Sequence, residues 1–284
     1  MLVHIKEVIS WAQKKKCAVG AFNTSNLETT LGIVNGAIKA KKPIIIQVSE
    51  TAIKYAGLKP ITHIVETVAK NEAVNVPVAL HLDHGKSFHS VAECIHAGFS
   101  SIMIDASDVP FDENVVLTKQ AVDYAHKYDV WAQGELGQVK GWEDNVFSEK
   151  GFLTDPKEAQ EFVEKTGINT LAVAIGNVHG VEKIRKGLPR LDIKRLKEIN
   201  AKIKVPLVLH GASGLGRDQI FQAVANGIRI INIDTEIRLI FTTTLRRVLS
   251  QHKEEIDIRN LMPQPMEAVQ RLVERKVKMF ALEA

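Results

Sequence analysis

Pro77-Val78-Ala79-Leu80-His81-Leu82-Asp83-His84-Gly85 is the stretch on which the fold turns. It opens on continuous apolar residues, has the length of a strand, and ends in polar side chains. A short run without polar alternation belongs to a strand buried on both faces, as in a parallel sheet covered by helices. Working outward, runs of the same kind recur at 18–23, 43–49, 100–106, 130–137, 170–177, 206–213 and 228–235, making eight with 77–84. Helical patterns fill the gaps at 27–40, 61–75, 87–97, 113–128, 156–166, 193–201 and 218–226, with a further helix from Glu236 and a last one at 265–280. The punctuation agrees. Thr154-Asp155-Pro156 puts a capping residue ahead of a first-turn proline, and Gly98, Gly167 and Gly227 stand where helices stop before strands.

Eight strand–helix alternations predict a (β/α)₈ TIM barrel. A doubly wound open sheet is the rival, but it often carries a glycine-rich first turn, and here the first strand runs into Phe22-Asn23-Thr24-Ser25. The 284 residues match the roughly 250 of such a barrel, so one domain over 1–284 is expected. Leu2, Ile5, Val8, Ile9 and Ala12 lie at helical spacing, interrupted by Lys6 and Glu7. That pattern reads as an amphipathic helix covering one end of the fold rather than a leader. The longest irregular stretch is 138–153, after the fifth strand.

Composition narrows the function classes. Hydrophobic residues at 45%, charged residues at 25% and a net charge of +4 describe an ordinary globular chain. The spread of its positive charge favours small anions over a nucleic-acid surface. No apolar stretch approaches the roughly 18 residues of a membrane span. Cys17 and Cys94 have no metal-type spacing and read as small core residues, which fits a reducing cytoplasm.

Barrel enzymes place their chemistry where strands end. Here the third strand ends in Asp83-His84, the fourth in Asp105, the fifth carries Glu135, the sixth leads to His179-Gly180, the seventh ends in His210-Gly211, and the eighth in Asn232-Ile233-Asp234-Thr235. One histidine at a strand end is usually structural. Three at the same end of one barrel predict a metal site with an open fourth position, as catalytic zinc requires, although manganese, cobalt or iron also accept nitrogen ligands. Asp105 and Glu135 are expected either to orient imidazoles or to form a second metal position. Gly211-Ala212-Ser213-Gly214-Leu215-Gly216 precedes a helix, so its backbone N–H groups can receive a phosphate. Asp234 would repel a phosphate and suits a substrate hydroxyl or loop support. Lys183 supplies positive charge near His179.

At residues 81–85, 101–107, 134–137 with Glu143-Asp144, 172–180, 209–214 and 232–235, the chain resembles the class II, metal-dependent fructose/tagatose-bisphosphate aldolases nearly end to end. The resemblance implies that His84, His179 and His210 bind zinc and that Asp83 moves the proton of the hydroxyl beside the scissile bond. It implies that Gly180, Gly211, Ala212, Ser213, Asn232, Ile233, Asp234 and Thr235 surround the dihydroxyacetone-phosphate half. Lys183 matches a phosphate-site lysine, and Asn23, Ser49 and Arg259 match positions near the aldehyde-phosphate half. Glu143, on the loop after the fifth strand, matches the acid/base that exchanges a proton at the nucleophilic carbon. A monovalent cation near the phosphate and a homodimer or homotetramer are further family expectations. Two carboxylates and a metal suffice for this chemistry without a Schiff-base lysine.

The reaction expected is cleavage of fructose 1,6-bisphosphate, with the tagatose isomer as the alternative. A zinc hydrolase would commonly carry His-x-His at the first strand, where Ala21-Phe22-Asn23 stands instead. A non-catalytic sugar-phosphate-binding subunit would be expected to lack ligands or acid/base groups that this chain retains.

Overall fold

The computed structural model describes residues 1–143, 146–148, 151–180 and 190–283, with 140, 142–143 and 146–148 as backbone alone. In chain order the strands are β1 (Val19–Asn23), β2 (Ile44–Ser49), β3 (Val78–Gly85), β4 (Ser101–Ile104), β5 (Trp131–Leu136), β6 (Lys140–Glu143), β7 (Val146–Ser148), β8 (Thr170–Val173), β9 (Val178–His179), β10 (Leu207–Leu209) and β11 (Ile228–Ile233). The eight expected runs become a closed parallel barrel in the order β1-β2-β3-β4-β5-β8-β10-β11, and β11 pairs with β1 to close it.

Although the strands look uniformly apolar, their two faces differ. Phe22, Ile44, Ile46, Val78, Leu80, Leu82, Leu171 and Ile231 pack outward against helices. Alternate positions Val19, Ala21, Ile45, Ala79, Ala172, Val208 and Ile230 fill the barrel's lower end with Ile5, Val8, Ile9 and Ala12. These last four belong to the helix Ile5–Lys15, which is the expected covering helix. Continuing the same alternation upward brings polar residues inside: Asn23, Gln47, Ser49, His81, Asp83, Gln133, Glu135 and Asn232, all buried. One end of the barrel is thus a dry plug and the other a polar mouth.

The helices Leu27–Ala40 and Pro156–Thr166 have the expected limits. Asp155 caps the second through Lys157 N and Glu158 N, and Gly98, Gly167 and Gly227 adopt positive φ. Three expectations change. The pattern at 61–75 is a helix Leu58–Asn71, preceded by a separate helix Glu50–Ala56. Pro60 lies in its first turn, where a missing N–H costs nothing, so the helix starts ahead of the proline. The runs 170–177 and 206–213 leave the sheet at Val173 and Leu209, because the segments beyond turn into mouth loops at Gly176 (φ +93°) and Gly211 (φ +59°). The stretch 138–153 is not irregular throughout: β6 and β7 form an antiparallel hairpin, and β6 pairs in parallel with β9. The C-terminal helix Pro263–Phe280 packs its buried face against Leu27–Ala40 and the helix Thr235–Gln251. Among the described residues, no helix is long and apolar enough to cross a membrane.

Candidate active site

Strict alternation would let β3 send Asp83 inward and His84 outward. A bulge prevents this. Leu82 pairs with Ile102 but Gly85 with Ile104, so β3 holds one residue more than β4 across the same interval. His84 takes the left-handed conformation, φ +49°, which costs free energy for a non-glycine residue and tends to persist where function selects it. Both consecutive side chains therefore reach the mouth. β10 stands diametrically across the ring from β3, and His210, one residue past its end, meets His84 there. His210 Nδ1 and His84 Nε2 lie 3.0 Å apart although 126 residues separate them in sequence.

The third imidazole arrives on β9. Ring centroids of His84, His179 and His210 form a triangle with sides of 4.8, 6.0 and 6.1 Å, and all three residues are buried. Three imidazoles on one ion, with metal–nitrogen bonds of about 2.0–2.1 Å, would have centroids roughly 5 Å apart. The donor set and its size fit a metal. Ligand atoms of Asp83, His84 and His210 also lie within 4.8 Å of one another, as do those of His84, Asp105 and Glu135.

Surrounding groups orient these rings. His84 Nδ1 donates to Asp105 Oδ2 (2.8 Å), which leaves the lone pair of Nε2 toward the centre. Lys86 Nζ donates to the same oxygen (2.6 Å), while Ser107 donates to Oδ1 through N (3.1 Å) and Oγ (2.7 Å). Burial alone would raise the Asp105 carboxyl, but its hydrogen bond to His84, then the charges of His84 and Lys86, hold it well below the ordinary carboxylate range. The Gln133 side-chain amide meets His210 Nε2 at 3.0 Å, and Asn177 Nδ2 donates to the His210 carbonyl (3.0 Å). Glu135 Oε2 lies 3.6 Å from His210 Nδ1. Asp83 is held separately: Asn23 Nδ2 donates to Oδ2 (2.7 Å) and Gln47 Nε2 to Oδ1 (2.8 Å). Beneath them His81, pushed down to about 3 by burial and by His84, stays neutral and meets Ser101 Oγ at 2.8 Å. Gln47, Gln133 and Lys86 carry no role in the sequence motifs. Amides inside apolar strands were the available signal for the two glutamines.

The loop 211–216 runs into the helix Arg217–Ala225 as expected, and Ser213 Oγ accepts from Glu236 N (3.4 Å). Asn232 Oδ1 is buried with no hydrogen-bond partner among the described residues. Gly180 and Thr235 fall at loop and helix start, beside His179 and Asp234. Ala212 and Ile233 instead bury their side chains in the outer core, leaving only backbone for a ligand. Asp234 is bonded by Arg238, through Nε at 2.9 Å and NH2 at 2.6 Å. Asn23, Ser49 and Asp234 line one cavity of about 390 Å³ at the mouth. Arg259 does not line it; its side chain is 86% exposed and donates to Asp257. Glu143 ends β6, with its backbone opposite Val146, and Lys183 lies outside the described residues.

A closed barrel whose polar mouth gathers three imidazoles and several carboxylates has the arrangement of a metal-dependent enzyme. The chain belongs to the class II fructose-bisphosphate aldolase family, whose profile matches residues 3–283. A probable fructose-bisphosphate aldolase of Bacillus subtilis (strain 168) is 42% identical over 280 residues, covering 98% of this chain and 97% of that protein. A fructose-bisphosphate aldolase of Staphylococcus aureus (strain Mu50) is also 42% identical, with the same coverage. Among solved structures, the YdjI aldolase of Escherichia coli K12 superposes with a TM-score of 0.85 at 33% identity, covering 99% of this chain and 97% of that one. The activity is that of an aldehyde-lyase dependent on a metal, and these relatives favour the fructose over the tagatose isomer.

Proposed function

We propose that the chain works as one catalytic domain that reversibly cleaves fructose 1,6-bisphosphate into dihydroxyacetone phosphate and glyceraldehyde 3-phosphate. His84, His179 and His210 would hold a zinc ion, with Asp105 and Glu135 as orienting groups or a second position. When bound, the ion polarises the substrate carbonyl and offsets the negative charge that develops beside it. Asp83 takes the proton of the C4 hydroxyl in cleavage and returns it in condensation. Asn23 and Gln47, each donating to one oxygen, fix that carboxylate without protonating it. Glu143 exchanges the proton at the carbon left behind by C3–C4 cleavage.

Gly180, Lys183, the loop around Gly211 and Ser213, and Asn232 to Thr235 take the dihydroxyacetone-phosphate half, with a monovalent cation near its phosphate. The reaction needs no amine. Among the described residues the one buried lysine, Lys276, is paired with Glu236 at 2.7 Å in the outer helix layer. A homodimer or homotetramer in a reducing cytoplasm completes the reading, the compartment being supported by the two free, buried cysteines.

The observation that carries this reading is the cluster of Asp83 with His84 and His210, a clamped carboxylate beside paired imidazole nitrogens. Its test is cleavage of fructose and tagatose bisphosphates side by side, before and after exhaustive chelation. Fructose bisphosphate should be the better substrate, chelation should abolish turnover, and added zinc should restore it. Turnover that survives complete metal removal would overturn the mechanism.

A further inference from the structure

We propose that the Lys86 ammonium stands in for a second metal ion, so that the mouth of this barrel takes one divalent cation and no more; this rests on the three-imidazole metal reading above. Ligand atoms of His84, Asp105 and Glu135 lie within 4.8 Å of one another, close enough to share an ion. Asp105, however, is already fully engaged. His84 Nδ1 commits its proton to Asp105 Oδ2 (2.8 Å), and Lys86 Nζ donates to the same oxygen (2.6 Å). Ser107 fills Oδ1 through N (3.1 Å) and Oγ (2.7 Å). A carboxylate offers about four acceptor directions, and here four donors occupy them.

Lys86 is anchored for this task. Its backbone N–H donates to Glu50 Oε1 (2.6 Å), an oxygen that Ser90 Oγ also meets, and Ser87 caps the helix Phe88–His96 that follows. The root of the side chain is thus tied to the start of the helix after β2, and the charges of Asp105, Asp108 and Glu135 all act on its ammonium. Carboxylate oxygens grouped in this way suit manganese or magnesium; the tethered ammonium supplies the positive charge in their place. An ion bonded to Asp105 Oδ2 at about 2.0–2.2 Å would stand within about 5 Å of that ammonium, where like charges repel strongly away from bulk water. Binding it requires Lys86 to leave. Ligation by His84 Nδ1 would further cost the proton that orients its ring toward the first ion.

The test loads apo enzyme with one equivalent of zinc and then titrates it with Mn²⁺, following the free ion by its EPR signal. Zinc outcompetes manganese for imidazoles, so it keeps the first position. Lys86→Met and Lys86→Gln remove the charge, Lys86→Arg keeps it, and thermal melts by circular dichroism check the fold of each. K86M and K86Q should bind one manganese per chain, about 10- to 100-fold more tightly than the unsubstituted protein binds any, the range over which neighbours of a ligand shift metal affinity. K86R should behave like the unsubstituted protein. Tight manganese binding by the unsubstituted protein would overturn the proposal. So would weak binding by all four proteins, or a K86R that binds as tightly as K86M. An unsubstituted chain that fails to hold even the first zinc would overturn the three-imidazole reading itself, and this assignment with it.

Discussion

Replacing Asp105 by Asn should weaken metal binding while leaving the fold almost intact. The carboxylate accepts four hydrogen bonds: from His84 Nδ1 (2.8 Å) and Lys86 Nζ (2.6 Å) on Oδ2, and from Ser107 N (3.1 Å) and Oγ (2.7 Å) on Oδ1. An amide is nearly the same shape but has only one accepting end. If that end stays on Ser107, the NH₂ faces two donors. Lys86, with 38% of its side chain exposed, can swing into water. His84 cannot; it must accept at Nδ1 and carry its proton on Nε2, the nitrogen facing the centre, where a proton excludes a ligand bond. If the amide turns over instead, the Ser107 N–H faces an NH₂ and loses a hydrogen bond, at about 1 kcal/mol. Metal binding needs the His84 proton on Nδ1 and therefore the turned amide, so the loss falls on metal affinity, by about 10- to 100-fold, or roughly 1.4–2.7 kcal/mol at 1.36 kcal/mol per decade. Competition against a chromophoric chelator near neutral pH measures it, and urea unfolding of the apo forms checks the fold. Affinity within about threefold of the parent would refute the idea that Asp105 sets the tautomer of His84.

Gly141→Ala should also lower metal affinity, though it touches no metal ligand's side chain. Gly141 has φ +112°, and an added Cβ would stand 2.3 Å from the His179 carbonyl oxygen across the β6–β9 pairing, so hairpin and ligand strand must move apart; unchanged affinity in the same chelator assay would contradict this. Asp83→Asn should cut cleavage by about 10²- to 10⁴-fold with metal content unaltered, measured as turnover against bound zinc; loss of the metal instead would move Asp83 from proton transfer to the ligand set. Asp155→Ala should cost about 1 kcal/mol of stability near neutral pH as a lost helix cap. Hydrogen bonds from Glu158 N and Lys157 N hold the Asp155 carboxyl below its ordinary value. The carboxylate's share of the stabilisation is therefore present above the unfolded pKa of about 3.9 and fades as pH falls through the lower folded value. Urea midpoints at neutral pH and near pH 3 should show the gap between parent and variant narrowing in acid, and a constant gap would argue against the charged cap.

Local patterns carried much of the architecture. Continuous apolar runs mark strands covered on both sides, capping residues mark helix starts, and polar groups at strand ends mark the mouth; each is a property of a few neighbouring residues, so it survives in the linear chain. That is why the barrel, the covering helix and the three histidines could be read from residue types and order. Other features depend on neighbours distant in sequence. The apolar runs conceal that Ala79 faces the plug while Leu80 faces a helix. No local signal announces the bulge that turns His84 inward beside Asp83, because it arises from the register of β3 on β4. Gln47 and Gln133 look like interruptions of buried strands until closure brings one to Asp83 and the other to His210. The placement of Arg238 in the cavity and Arg259 outside it follows from how the C-terminal helices pack, not from the motifs around them. Residue chemistry and its spacing were enough to determine a barrel with a histidine metal site at its mouth, and the motifs' resemblance to a known family implied the lyase chemistry. Which groups meet was decided by closure of the ring, which sets β3 opposite β10 and brings His84 and His210 to 3.0 Å.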